Sequence, residues 1–253
     1  MSEYRIKSKD EIQAMREGGK VLAETLLWLR DDKIKNGIST QEIDIYTREF
    51  FEKKKVKPVF LGYYGFPAVI CTSINDAVIH GVPNSNTIIQ EGDIVSLDCG
   101  VLHNNMIVDS AISFGIGEIS EEARLLLERT QKSLNKAIKV IKAGATTGDI
   151  GYAVESYIDQ FGYGIIRDYA GHGVGHKLHE DPNIPNYGNA GTGTKLASGL
   201  TIAVEPMITL GSEDVFTDAD DDWTVYTEDG SLAAHFEHTI LVTDKGAEIL
   251  TQI

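Results

Sequence analysis

Two short segments, starting at positions 37 and 144, carry one signature and divide the chain into two like halves. Gly37-Ile38-Ser39-Thr40-Gln41-Glu42-Ile43 and Gly144-Ala145-Thr146-Thr147-Gly148-Asp149-Ile150 both run glycine, apolar residue, two hydroxyls, a variable residue, acid, isoleucine. A hydroxyl three residues ahead of an acid is a capping box, in which each side chain satisfies the other's free backbone N–H at a helix start. Ser8 and Glu11 form a further box, and Ile12, Met15, Val21, Leu22 and Leu26 continue at helical spacing, which predicts a first helix to about Arg30. The second helix opens at Ser39 ahead of Ile45, Phe50 and Phe51, and strand-like segments follow to about Phe114. A long helix over Ser120 to Lys142 and another opening at Gly144 repeat the order. The reading is one α+β domain over 1–253, built of two related half-units, about 8–114 and 120–243. Two unrelated helix caps would produce the same strings, so the symmetry is an expectation.

The chain's 253 residues can bury a sizeable core. The opening MSEYRIKSKD is charged where a signal peptide is apolar, and nowhere do 18 apolar residues run together, so the expected location is the cytoplasm, with no membrane partner. Cys71 and Cys99 have no CxxC spacing and form neither a disulfide framework nor a thiolate zinc site. A net charge of -15 argues against nucleic acid, whose phosphates call for clustered lysine and arginine. Part of the excess lies between Glu213 and Asp229, which reads as a solvated loop.

Asp98, Asp109, His172, Glu205 and Glu237 are four hard carboxylates and one imidazole, a donor set suited to divalent Mn, Fe, Co or Zn. Two adjacent ions are then expected, and two ions imply hydrolysis. From Asp93 to Val101 the pattern alternates, with Val95, Leu97, Cys99 and Val101 on one face and Asp98 on the other. A turn centred between His103 and Asn104 would set Asp98 directly opposite Asp109, with Cβ atoms roughly 5 Å apart. Carboxylates that close repel unless a cation neutralises them. A turn at Asn104-Asn105 is the competing register, expected to leave two unrelated surface aspartates.

The segment GHGVGHKLHE holds His172, His176 and His179, but Gly171, Gly173 and Gly175 each disfavour a helix by about 1 kcal/mol. It reads as extended or looped, with His172 the natural ligand, His179 on the substrate side and His176 structural. Glu205 in TIAVEPMI and Glu237 in LAAHFEHTILV lie among strand formers with few cations nearby, so each needs a partner, an ion or a buried salt bridge.

SINDAVIHG, LDCG with Asp109 eleven residues after Asp98, GHGVGHKLHEDP, TIAVEPM and WTVYTEDGSLAAHFEHT together resemble the methionine aminopeptidases, type I, over nearly the whole chain. The resemblance implies the pita-bread fold, a curved, mostly antiparallel sheet covered by two pseudo-symmetric pairs of helices. It implies that Asp98 and Asp109 hold one ion, that Asp109, His172, Glu205 and Glu237 hold the other, and that Asp109 and Glu237 bridge. His80 and His179 match the two histidines that contact the scissile bond, and Tyr63, Phe66, Cys71 and Trp223 fall where the family lines its methionine pocket. Val108 stands where the family has a small residue, which predicts a crowded hairpin, and Leu178 replaces an aromatic found in some relatives.

The implied activity is removal of N-terminal methionine from peptides and nascent chains when the second residue is small. Glu205, His80 and His179 are the expected catalytic residues and two divalent ions (Co, Mn, Fe or Zn) the cofactors. A monomer is expected, and ribosome association follows only from the family's usual task. Proline-directed relatives share the site but usually carry an N-terminal domain, for which the first helix near Ser8 leaves no room. A non-catalytic binding module would be expected to have lost ligands.

Overall fold

The computed structural model describes residues 4–253. Its α-helices start where the caps predict. The side chains of Ser8, Ser39 and Thr146 accept from the backbone N–H of Glu11, Glu42 and Asp149, whose carboxylates accept in turn from the backbone N–H of the three cap residues, opening α1 (Lys9–Trp28), α2 (Thr40–Lys54) and the later helix Thr147–Ile158. Between them Ser120 caps α3 (Glu121–Val140), and Thr147–Ile158 is α4. The first helix does not stop at Arg30, because α1 runs into a π turn over Leu29–Lys33.

In chain order the strands before α3 are β1 (Lys57–Pro58), β2 (Cys71–Ile74), β3 (Ala77–Ile79), β4 (Ile94–His103) and β5 (Met106–Gly115). After α4 come β6 (Gly164–Ile165), β7 (Gly171–Gly173), β8 (Glu180–Ile184), β9 (Thr201–Val204) and β10 (Met207–Thr209). The last are β11 (Val215–Thr217), β12 (Val225–Thr227), β13 (Ala233–His235), β14 (Glu237–Val242) and β15 (Ala247–Ile249). The main antiparallel sheet runs β1-β4-β5-β14-β9-β7-β8, with β2 on β4 and β15 on β14. Both halves of the chain contribute to it, and β14 lies at its middle. Two small sheets, β13-β10-β6 and β11-β12-β3, flank it.

Burial follows the helix pairs. One apolar cluster joins Leu22, Leu26, Ile43 and Phe51 of α1 and α2 to Leu97, Cys99 and Val101 of β4. A second joins Leu126, Leu134, Ile150 and Val154 of α3 and α4 to Ile202, Val204 and Ile240 of β9 and β14. No helix among the described residues is long and apolar enough to cross a membrane.

The β4–β5 hairpin corrects one expectation. Its turn is Asn104-Asn105, both in the left-handed region at φ 47° and 65°, the pattern of a two-residue primed turn. Asp98 is therefore opposite Ala111 and Asp109 opposite Gly100, so the two aspartates are diagonal and not directly paired. Moving the turn by one residue shifts every partner by two, and side chains alternate with period two, so both aspartates keep the same face. The competing register is thus the real one, yet the aspartates are neither unrelated nor on the surface.

Val108 faces α1 instead of the aspartates. It is fully buried, and even a Cβ built on Gly18 would lie 3.5 Å from it, an ordinary van der Waals contact, so the crowding expected there is not found on the α1 side. The neighbouring Gly19 sits closer still to the C-terminal segment, where an added Cβ would stand 2.1 Å from the Leu250 carbonyl oxygen. Backbone on both sides gives little room to yield. Gly19→Ala is expected to destabilise the fold by about 1–3 kcal/mol, the usual cost of overpacking. Urea unfolding checks this, and an unchanged midpoint would mean that α1 shifts freely.

Candidate metal centre

Five neighbouring segments bring the four acids and His172 together. Across three strands, Asp98 of β4, Ala111 of β5 and Glu237 of β14 form one row, since Ala111 pairs with both acids. The methyl of Ala111 leaves the space between them open, and Asp109, two residues along β5, projects from the same face. Glu205 directly follows β9, whose last residue Val204 pairs with His238. Asn186 holds that bend by donating to the Glu205 carbonyl at 3.0 Å. Glycines on both sides of His172 let β7 pack closely, for a Cβ at Gly171 or Gly173 would fall 2.3 or 2.2 Å from a carbonyl oxygen.

Hydrogen bonds fix the orientation of these groups. The Thr239 hydroxyl accepts from the Asp109 amide at 2.9 Å and donates to its carbonyl at 2.7 Å, while the Ser110 amide donates to Asp109 Oδ1 at 3.0 Å. His172 places Nδ1 2.9 Å from the Gly173 carbonyl, which fixes the proton there and leaves Nε2 with a free lone pair. That nitrogen is 3.5 Å from Glu205 Oε1. Donor atoms of Asp109, His172 and Glu237 all lie within 4.8 Å of one another. Asp98 Oδ1 and Glu237 Oε1 are buried and without a hydrogen-bond partner.

The electrostatics match that arrangement. Burial, then repulsion from Asp109 and Glu205, pushes Asp98 well above the usual carboxylate range, and burial with the other three acids does the same to Glu237. Burial and Glu205 push Asp109 up to about 8, and burial pushes Glu205 up to about 7. Among the described residues no lysine or arginine lines the cavity to relieve this. Oxygen donors without a protein cation, two of them orphaned, fit one or more divalent ions.

In the metal-free chain the sign of the pH dependence follows. Asp109 and Glu205 keep their protons to about 8 and about 7 when folded, whereas unfolded carboxyls lose theirs near pH ~4. Between those limits the folded state binds more protons, so stability falls as pH rises. Burial pulls His235 down to about 3, which acts in the opposite sense. That effect ends above the unfolded histidine pKa of about 6.5. A chelator-treated sample should therefore lose melting temperature between about pH 6.5 and 8, and added Mn should restore it. Thermal melts test this, and a melting temperature that rises over that window would contradict it.

The candidate ligands, catalytic residues and pocket residues named from the sequence all line one cavity of about 240 Å³. The acids and His172 form its floor. Tyr63, Phe66, Cys71, His80, His179 and Trp223 line its walls, joined by Phe60, Tyr64 and Leu178. Phe66 and Trp223 meet edge to face with centroids 5.1 Å apart, and His80 lies 6.3 Å from Trp223. The Tyr63 hydroxyl is 2.8 Å from His179 Nδ1. His80 is held in the left-handed region at φ 58°, and Gly81 beside it leaves 2.3 Å between an added Cβ and the Thr72 carbonyl oxygen. Burial pulls His80 down to about 4. His176, read as structural, packs outside the cavity with Nε2 2.7 Å from Glu11 Oε1.

Sequence reasoning passed over Phe60 and Tyr64, whose signal was an aromatic-rich stretch punctuated by Gly62 and Gly65. It also passed over His235, which lies 3.4 Å from Glu205. The acidic stretch is more than a solvated loop: Asp221 accepts from the amides of Trp223 and Thr224 and from the Thr224 hydroxyl, shaping the segment that carries Trp223.

The profile of metallopeptidase family M24 matches residues 13–244. A methionine aminopeptidase of Clostridium acetobutylicum is 47% identical, covering 97% of this chain and 98% of its own. Methionine aminopeptidase 1 of Bacillus subtilis is 42% identical, covering 98% of each. The chain belongs to the M24 methionine aminopeptidases. The crystal structure of a methionine aminopeptidase from Thermotoga maritima superposes with a TM-score of 0.96 at 43% identity, covering all of both chains, so the fold is the pita-bread fold. An Xaa-Pro dipeptidase from Bacillus anthracis shares the fold at a TM-score of 0.79, but at 23% identity and over 62% of its own length. As a methionine aminopeptidase family member the chain is a metallopeptidase and an aminopeptidase by class.

Proposed function

We propose that this enzyme removes the N-terminal methionine from peptides and nascent chains, with a small second residue, using two divalent ions. The observation that supports this most is the meeting of four unneutralised carboxylates, a lone-pair-presenting imidazole and an aromatic-walled slot in one cavity. Asp98 and Asp109 would hold one ion, and Asp109, His172, Glu205 and Glu237 the other, with Asp109 and Glu237 shared. Ions bound there supply an acidified water and a polarising charge for the scissile carbonyl.

The side chains then have distinct tasks. Glu205, lifted towards neutrality by burial, takes a proton from the attacking water and returns it to the leaving nitrogen. Tyr63 donates its hydroxyl proton to His179 Nδ1, which leaves Nε2–H free to stabilise the oxyanion. His80, in its constrained backbone, orients the leaving amide. Tyr63, Phe66, Cys71 and Trp223 accept the unbranched methionine side chain, whose thioether suits an aromatic slot. We read the chain as one catalytic unit of two related halves, acting as a monomer in the cytoplasm.

The test is release of methionine from a Met-Gly tripeptide by metal-stripped protein supplied with Mn, Co, Fe or Zn. Release that needs metal and is lost in Asp98→Asn is expected. Cleavage of Ala-Pro peptides alone would replace this reading with a proline-directed one, and two bound ions without release from either would make the chain a binding module.

A further inference from the structure

His235 is a buried ionisable group beside Glu205 to which the reading above gives no task. It ends β13, two residues before Glu237, in an apolar run that gives no sign of a polar role. Pairing of β13 with β10 sets it opposite Met207 and so beside Glu205. The residue is 2% exposed. Its Nε2, sealed from solvent and otherwise without a hydrogen-bond partner, lies 3.4 Å from Glu205 Oε2.

Glu205 is thus bracketed by two imidazoles, one at each oxygen, and the two differ. At Oε1 stands His172 Nε2, whose proton is on the other nitrogen, so the pair offers an ion two lone pairs. At Oε2, on a side chain only 13% exposed, the acceptor gains from a donor, because a carboxylate oxygen largely shielded from water is costly to leave unpaired. Such contacts are often long before the site is loaded and tighten afterwards.

The backbone that carries His235 is also tied to the strands that carry the aspartates. The His235 amide donates to Ser113 Oγ at 3.0 Å, and the Ser113 hydroxyl donates to the His235 carbonyl at 2.7 Å. Ser113 is in turn 2.6 Å from the hydroxyl of Ser96, two residues before Asp98. A group that steers a ligand works best from such a rigid support.

We propose that His235, as an Nε2–H donor to Glu205 Oε2, is a positioning residue that fixes the rotation of this carboxylate and presents Oε1 beside His172. The inference rests on Glu205 acting as ligand and proton carrier. It deepens that role by naming what holds the group still.

The experiment compares wild type with His235→Leu, which fills the space without a donor, and His235→Gln, which restores an N–H. Should H235L fail to fold, H235N, whose N–H is too short to reach, takes its place. Methionine release gives kcat and KM, and calorimetric titration of the metal-stripped proteins with Mn gives ion affinity without catalysis. H235L is expected to lower kcat and tight-ion affinity by about 10- to 100-fold, the usual cost of removing a group that orients a ligand, with KM nearly unchanged. H235Q should recover most of both. Equal losses in the two variants would reduce His235 to a packing role, and undiminished affinity and turnover in H235L would remove any role. A wild-type protein that releases no methionine would overturn the proposed function, while the Mn titration would still decide for or against His235.

Discussion

Asp109→Asn is expected to abolish methionine release and, at the same time, to raise the melting temperature of the metal-free chain. The two effects have one cause. Asp109 is buried in the middle of the acid cluster, and burial, then repulsion from Glu205, pushes it up to about 8. Losing one partner of a buried charged site costs about 3–5 kcal/mol, or roughly 10²- to 10⁴-fold in ion affinity. Without ions the same change deletes a carboxyl that must stay protonated to be buried, while the amide oxygen can still accept from Ser110. Each kcal/mol gained moves the midpoint of a chain this size by about 2–4 °C. Melts in chelator at pH 8, with Mn titrations alongside, decide the matter. A lower melting temperature in the variant would mean that the acids do not repel in the folded chain.

His179→Ala should lose about 10²- to 10³-fold in turnover, the usual cost of an oxyanion donor. Ion affinity and stability should barely move, because the ring is exposed at the cavity wall and among the described residues its one hydrogen bond is to Tyr63. Tyr63→Phe should give a smaller loss of the same kind, since it frees the ring to hold its proton on either nitrogen. Steady-state kinetics separate this from a binding role: the loss falls on kcat if the donor acts in the transition state and on KM if it only holds substrate.

The cavity's lining was legible in the sequence for the residues whose chemistry is out of place. An acid within TIAVEPMI or an imidazole between glycines announces itself, because the local pattern offers it no partner. The helix starts were legible for a similar reason, since a capping box is a local arrangement. What the sequence hid was the partner across the sheet. His235 looks like one more buried residue until β13 and β10 pair, and the bond between His176 and Glu11 spans most of the chain. The hairpin turn differs by one residue from the expected one because His103-Asn104 and Asn104-Asn105 are both polar, and only the left-handed preference of paired asparagines separates them.

That hairpin is forgiving in one respect and strict in another. Asp98 and Asp109 share a face because an odd separation and an even-membered turn agree, whatever the turn's length. Asn104 and Asn105 are exposed at its tip. Two residues inserted there would lengthen the tip and leave both acids aimed at the cavity. A single inserted residue would need a bulge to spare one acid from turning into the helices, so the tip accepts grafts, and tolerates evolutionary drift in length, by twos.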